Sequence, residues 1–120
     1  MDNEFNIFWK KQIKLISWFK KPKKILTKKN GKFVWFDDGK SNVAFNCLQK
    51  NISEGNGSKT ALIIIDEKKQ ITKISFQQLS NLVDHFIKYL SNFRINKNKT
   101  IIIHAKASLT SVLSMLACAK

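Results

Sequence analysis

The chain has 120 residues, 43% of them hydrophobic and 11% aromatic, enough for a small core and against wholesale disorder. Its longest purely apolar run, Ala61 to Ile65, is far short of a membrane span, and the acidic start Met1-Asp2-Asn3-Glu4 is unlike a secretory signal peptide. The net charge of +14 suggests phosphate, nucleic acid or an anionic surface as a partner, but nearly all of it is Lys. Arg94 is the one Arg, and Lys is accompanied by abundant Ile and Asn, the trio that codon drift toward A and T produces. Charge alone therefore does not identify a polyanion binder.

Residues 5–19 place Phe5, Phe8, Trp9, Ile13, Ile16 and Phe19 on one side at helical spacing, with Lys10, Lys11 and Lys14 largely on the other. This predicts an amphipathic helix that docks on a domain. Residues 20–32 read as a Lys-rich, solvated connector, broken by Pro22 and turned at Asn30-Gly31. An aromatic stretch from Phe33 to Phe36 then drops into the turn Asp37-Asp38-Gly39. Ser41 or Asn42 is placed to cap a short helix through about Ile52, with Val43, Cys47, Leu48 and Ile52 facing inward.

Residues 54–58 form a loop. Gly55 and Gly57 do not read as a phosphate loop, because they precede a strand instead of linking a strand to a helix. Ala61–Ile65 and Ile71–Ser75 predict a hairpin. Ser75-Phe76-Gln77-Gln78 fits a capping box, and Phe76, Leu79, Leu82, Val83, Phe86, Ile87 and Leu90 follow at helical period. Residues 91–99 read as a polar turn region, Thr100–His104 as a second buried strand, and a final helix starts near Ser108. With the strand before the 75–90 helix, the 100–104 strand would complete a right-handed βαβ unit. The apolar closing segment, residues 111–120, then has no third strand to lead into.

Several chemistry-bearing residues read as structural. Cys47 and Cys118 lack metal-site spacing and are expected as reduced thiols packed in a core. His85 flanks an apolar stripe and has no partner nucleophile in view. His104 and Lys106 would lie at the carboxyl end of a strand, where α/β sheets often bind ligands, but an ordinary strand end is the simpler reading.

Four landmarks in order resemble the acetyl-CoA and propionyl-CoA synthetase family. Trp35 to Leu48 is similar to the family's W-F-x-G-G-x-x-N-x-x-x-N-x-L-D stretch, and Phe8-Trp9 with Ile16-Ser17-Trp18 to its F-W…L-x-W. Ile74 to Leu79 resembles I-T-Y-x-E-L, and Met115 to Lys120 resembles M-L-A-C-A-R. Departures are Asp37-Asp38-Gly39 for a Gly-Gly-type turn, Gln49 for Asp, and His104 to Ser108 for a Met-Pro-containing segment.

The resemblance implies an α/β fold: an amino-terminal helix and lead-in, followed by the first α/β units of an adenylate-forming enzyme's large domain, incomplete here. Residues 1–52 would be the amino-terminal region and 59–120 the start of the large domain. The parent would be a cytoplasmic AMP-forming ligase using ATP, coenzyme A, Mg2+ and a small carboxylate. The family's phosphate loop, nucleotide contacts, acyl pocket and catalytic Lys have no counterpart here, so no catalytic, cofactor-binding or metal residue is assigned. The expected role is scaffolding, with the rest of a synthetase chain as partner, no specific nucleic acid and no membrane. Two other readings stay open: a small basic polyanion-binding protein, and a module that pairs with a complete synthetase.

Overall fold

A computed structural model describes residues 3–93, 95 and 99–120. The polar turn expected over 91–99 lies in part outside them, as do Arg94 and the first two residues. The chain is of the α/β class, helices packed with small antiparallel sheets, and it divides into two units, Met1–Asn42 and Val43–Lys120.

In the first unit, helix α1 covers Asn3–Gln12 and tightens into a single 3-10 turn over Ile13–Leu15. The helix predicted to reach residue 19 stops there. Ile16 is extended (φ −106°, ψ 138°), and Phe19 and Lys20 instead give their amides to the Lys40 carbonyl at 2.8 and 3.1 Å. The single stripe expected along 5–19 is therefore split. Ile13 is buried and Phe5 and Trp9 are half-buried, whereas Phe8, Ile16 and Phe19 are exposed.

The Lys-rich connector is not simply a loop. Its second half forms strand β1 (Leu26–Lys29), antiparallel to β2 (Lys32–Trp35), with Leu26 opposite Trp35 and Lys28 opposite Phe33. Asn30 (φ 48°) and Gly31 (φ 78°) close the hairpin. Both have the positive φ that a two-residue type I′ turn needs, which Asn-Gly supplies at low cost.

The second unit begins with a wide, π-helical stretch in two parts, Phe45–Gln49 and Ile52–Asn56. Each closes i to i+5 instead of i to i+4, so the inward positions move. Ala44 and Leu48 are buried, while Val43 and Cys47, expected inside, are exposed. The helical stretch runs further than expected and gives way at Gly55, whose φ of 82° suits glycine.

Strands β3 (Thr60–Ile65) and β4 (Ile71–Ser75) form the predicted hairpin, with Ile65 opposite Ile71 and an irregularity between Thr60 and Leu62. Helix α2 (Phe76–Ser91) starts at the predicted box: Gln78 N–H donates to Ser75 Oγ at 3.2 Å, and Ser75 N–H to Gln78 Oε1 at 2.9 Å. Helix α3 (Leu109–Ala119) follows Ser108, whose N–H donates to Ser111 Oγ at 3.1 Å.

The core is Leu48, Ile74, Leu79, Val83 and Ala117, drawn from the π-helical stretch, β4, α2 and α3. The α2 stripe thus meets a different element on each side. Ala117 is the one buried residue of α3, and Met115 is exposed, so the closing helix is covered along one side.

The strand expected over Thr100–His104 is absent. A strand exists only where a neighbour takes its N–H and C=O groups, and among the described residues both sheets are two-stranded hairpins that this segment does not join. Ile102 consequently stands 89% exposed, and the expected βαβ unit does not form.

Two substitutions test this packing. Leu48→Ala, at a site 1% exposed, is expected to lower stability in urea unfolding by about 2–5 kcal/mol, while Met115→Ala should stay within about 0.5 kcal/mol. A Cβ on Gly39 would lie 2.8 Å from the Trp18 ring and 3.1 Å from both Phe36 O and Pro22 Cβ. Gly39→Ala should therefore cost about 1–3 kcal/mol, read by tryptophan fluorescence, since all three tryptophans lie in the first unit.

Candidate functional site

The residues singled out for possible chemistry are not gathered into one constellation. His85 sits on an exposed part of α2 with Nδ1 2.8 Å from the Asn81 carbonyl, so that nitrogen carries the proton and donates. It lines a shallow hollow of about 420 Å³ with Thr72, Lys73 and Asn81, and no carboxylate or thiol is among the lining residues. His104 is exposed in the unpaired extended segment. Lys106 Nζ is 3.5 Å from Glu67 Oε1, but the side chains are 90% and 93% exposed, so the pair contributes little.

Cys47 and Cys118 are free, and both are exposed, not packed in a core as expected. The π-helical widening turns Cys47 outward; on α3, Ala117 is the buried position and its neighbour Cys118 points away. Among the described residues no group of three or more His, Cys, Asp or Glu could hold a metal ion. Gly55 and Gly57 lead into β3, and Gly57 O accepts from Gln77 N–H of the first turn of α2 at 2.9 Å, so that amide is already taken by the loop and is not offered to a phosphate.

Two assemblies were not foreseen from the sequence. The first is built by aromatic residues of the first unit. Trp9 and Trp35 meet at a tilt of 56° with centroids 4.6 Å apart, Phe5 lies 5.9 Å from Trp35, and Trp18 meets Phe36 edge-on at 5.6 Å. Such contacts contribute about 0.5–1.5 kcal/mol each beyond burial. They offset the cost of holding Phe36 at φ 49°, a conformation unfavourable for a bulky residue. From that corner the chain descends into Asp37 and Asp38. Asp37 Oδ2 pairs with Lys29 Nζ at 2.5 Å. Asp38 accepts from the backbone N–H of Lys23 at 3.1 Å and of Lys24 at 3.2 Å. The departure from a Gly-Gly-type turn thus has a physical role: the Asp38 carboxylate satisfies the amides just after Pro22 and ties the connector to the aromatic corner.

Loss of water around Asp38 pushes its carboxyl pKa upward, but the N–H groups of Lys24 and Lys23, its own amide and the charge of Lys20 outweigh that. The net result lies below the ordinary value of 3.8.

The second assembly lies at the end of the second unit. Lys120 Nζ reaches Asp84 Oδ1 of α2 at 2.5 Å. With its carboxamide turned to satisfy both groups, Gln49 accepts from the same ammonium at 3.0 Å and donates to the Ala44 carbonyl at 3.2 Å. One cation therefore links α3, α2 and the π-helical stretch. Beside it runs an apolar groove of about 560 Å³, lined chiefly by Ile87, Leu90, Ile95, Ile101, Ile103 and Ala117, with Lys99 and Lys120 at its edge. Ser91 and Cys118 also line it, but no carboxylate or imidazole is among the lining residues to activate them, so its chemistry is that of a packing surface.

Residues 2–47, which span the aromatic assembly and its Asp38 tie, match the family model described as acetyl-coenzyme A synthetase N-terminus. The chain is 32% identical over 119 residues to the acetyl-coenzyme A synthetase of Cupriavidus metallidurans, covering 98% of this chain and 18% of that protein. It is also 32% identical over 120 residues to that of Herminiimonas arsenicoxydans and 30% over 121 residues to that of Cupriavidus necator, again 18% of each. Along 98% of its length the chain is thus similar to one class of protein, much longer synthetases of which it spans 18%. These matches support an amino-terminal fragment of an acetyl-coenzyme A synthetase.

The Asp38 tie has a definite pH dependence. Its folded pKa is depressed, so its contribution is complete above the ordinary value of 3.8 and is lost as pH falls through the lowered folded value. Comparing the acid titration of tryptophan fluorescence in wild type and Asp38→Asn checks this. The variant should melt at a lower temperature at pH 7, and the difference between the two should vanish at the acid end.

Proposed function

We propose that this chain acts as the amino-terminal segment of an AMP-forming acetate–CoA ligase, contributing scaffold and not catalysis. The parent reaction joins acetate and ATP to acetyl-adenylate and pyrophosphate, and the coenzyme A thiolate then displaces AMP. On this reading residues 1–52 are the amino-terminal region, 59–120 begin the large domain, the rest of the synthetase is the partner, and the setting is cytoplasmic. Among the described residues no helix is long and apolar enough to cross a membrane, which accords with that setting without establishing it.

The observation that carries this reading is collinear similarity along 98% of the chain to ligases of which it spans 18%. The groove beside Ile101 and Ile103 supports it. A β-branched run that joins neither sheet is suited to a sheet completed by further synthetase polypeptide, which would remove its apolar side chains from water. The parent's ATP, coenzyme A and Mg2+ do not fit the residues present. Among the described residues no glycine-rich loop links a strand to a helix, and none forms a metal-ligand cluster. No catalytic step is therefore assigned to any residue of this chain.

The test is acetate-dependent exchange of labelled pyrophosphate into ATP. The purified 120-residue chain is expected to show none above background, and robust exchange would overturn the scaffold role.

A further inference from the structure

Lys20 and Lys40 are twenty positions apart in sequence, yet they stand directly opposite each other in an isolated antiparallel bridge. Lys20 N–H donates to Lys40 O at 3.1 Å, and Lys40 N–H donates to Lys20 O at 2.8 Å. A pair that exchanges both bonds sends its two side chains to the same face, with Cα atoms about 5.5 Å apart. Both residues are exposed.

Like charges in this position repel, and a carboxylate would ordinarily be set beside them. Among the described residues none lies within ion-pair distance of either ammonium. Asp37 is held by Lys29, and Asp38 is engaged by the amides of Lys23 and Lys24, although its field reaches Lys20. Nor is the backbone free to separate the pair. Gly39 is pinched under the Trp18 ring and against Pro22, and Ser41 Oγ donates to the Ser17 carbonyl at 2.8 Å just beyond the bridge. The bridge therefore sets two lysine stems opposite each other on a fixed ribbon, flanked in sequence by Lys21, Lys23 and Lys24, which raise the local positive potential.

We propose that the Lys20–Lys40 pair is a binding site for a doubly charged phosphate group, such as a free phosphomonoester or pyrophosphate. Two adjacent ammonium donors match a dianion in charge and can each hydrogen-bond a different phosphate oxygen. Binding relieves the repulsion that the bridge imposes. The proposal is independent of the scaffold role, because it rests on the bridge alone.

The test is a titration of the 120-residue chain with sodium pyrophosphate at fixed ionic strength, followed by amide chemical shifts. Saturable shifts are expected, centred on residues 19–20 and 39–41. Lys20→Gln/Lys40→Gln should weaken binding by about tenfold or more, a change large enough to stand above the diffuse attraction of the other lysines. Lys68→Gln/Lys88→Gln, on the second unit, should leave it unchanged. Without pyrophosphate the Lys20/Lys40 variant should melt at the same temperature or higher, since its repulsion is gone; if the double variant does not fold, Lys40→Gln alone is expected to show an intermediate loss. Equal binding by wild type and variant, shifts spread evenly over all lysines, or the same shifts from sodium chloride at matched ionic strength would overturn the proposal.

Discussion

The second unit depends on one requirement, that the apolar stripe of α2 be covered from more than one side. Val83, at its centre, is fully buried, and no single neighbour could do that. Leu48 comes from the π-helical stretch, Ile74 from β4 and Ala117 from α3, and the partly buried Leu62 and Ile64 of β3 extend the same cluster. Each of those elements is marginal alone. A two-stranded hairpin is barely stable in water, and an 11-residue helix is short of independent stability. They hold because α2 offers each of them a share of one core. The link between Lys120, Asp84 and Gln49 then fixes where α3 lies along α2.

The first unit solves a harder problem with different means. It has few aliphatic core residues, Ile13 and Ile25 being its buried ones, so aromatic stacking and backbone satisfaction carry more of the load. Trp9, Trp35 and Phe36 supply area with little rotamer entropy to lose, and Phe36 accepts a left-handed backbone to reach its place. Asp38 closes the arrangement by accepting amides that a turn after proline would otherwise leave to solvent. The same closure brings Lys20 and Lys40 together, so a feature built for folding also concentrates charge.

The similarity to synthetases bears on these features unevenly. Residues 2–47 match the synthetase amino-terminal family, and that stretch contains both the aromatic cluster and the tie that anchors it. The groove by Ile101 and Ile103 falls in the part covered only by the longer relatives. The aromatic module is tied by ring contacts and by Asp38, whereas the isoleucine segment has no such tie; both expose apolar area whose burial would release free energy.

Local physics was legible in the sequence. The Ser75 capping box, the period of α2, the β3–β4 hairpin and the helix after Ser108 all follow from residues within one or two turns of each other, and all formed. The Asn30-Gly31 turn was legible too, but the lysines around it masked the strand it joins, because alternation with charge looks like a solvated loop. What tertiary structure decided was everything that needs a distant partner. Thr100–His104 has strand composition but no neighbour to take its hydrogen bonds. Residues 16–20 have helical spacing but a better backbone partner in Lys40. Cys47 has a core-like spacing until π-helical winding rotates it outward. Composition and period state what a segment prefers; the pairing of backbone groups across long loops determines which preference is met.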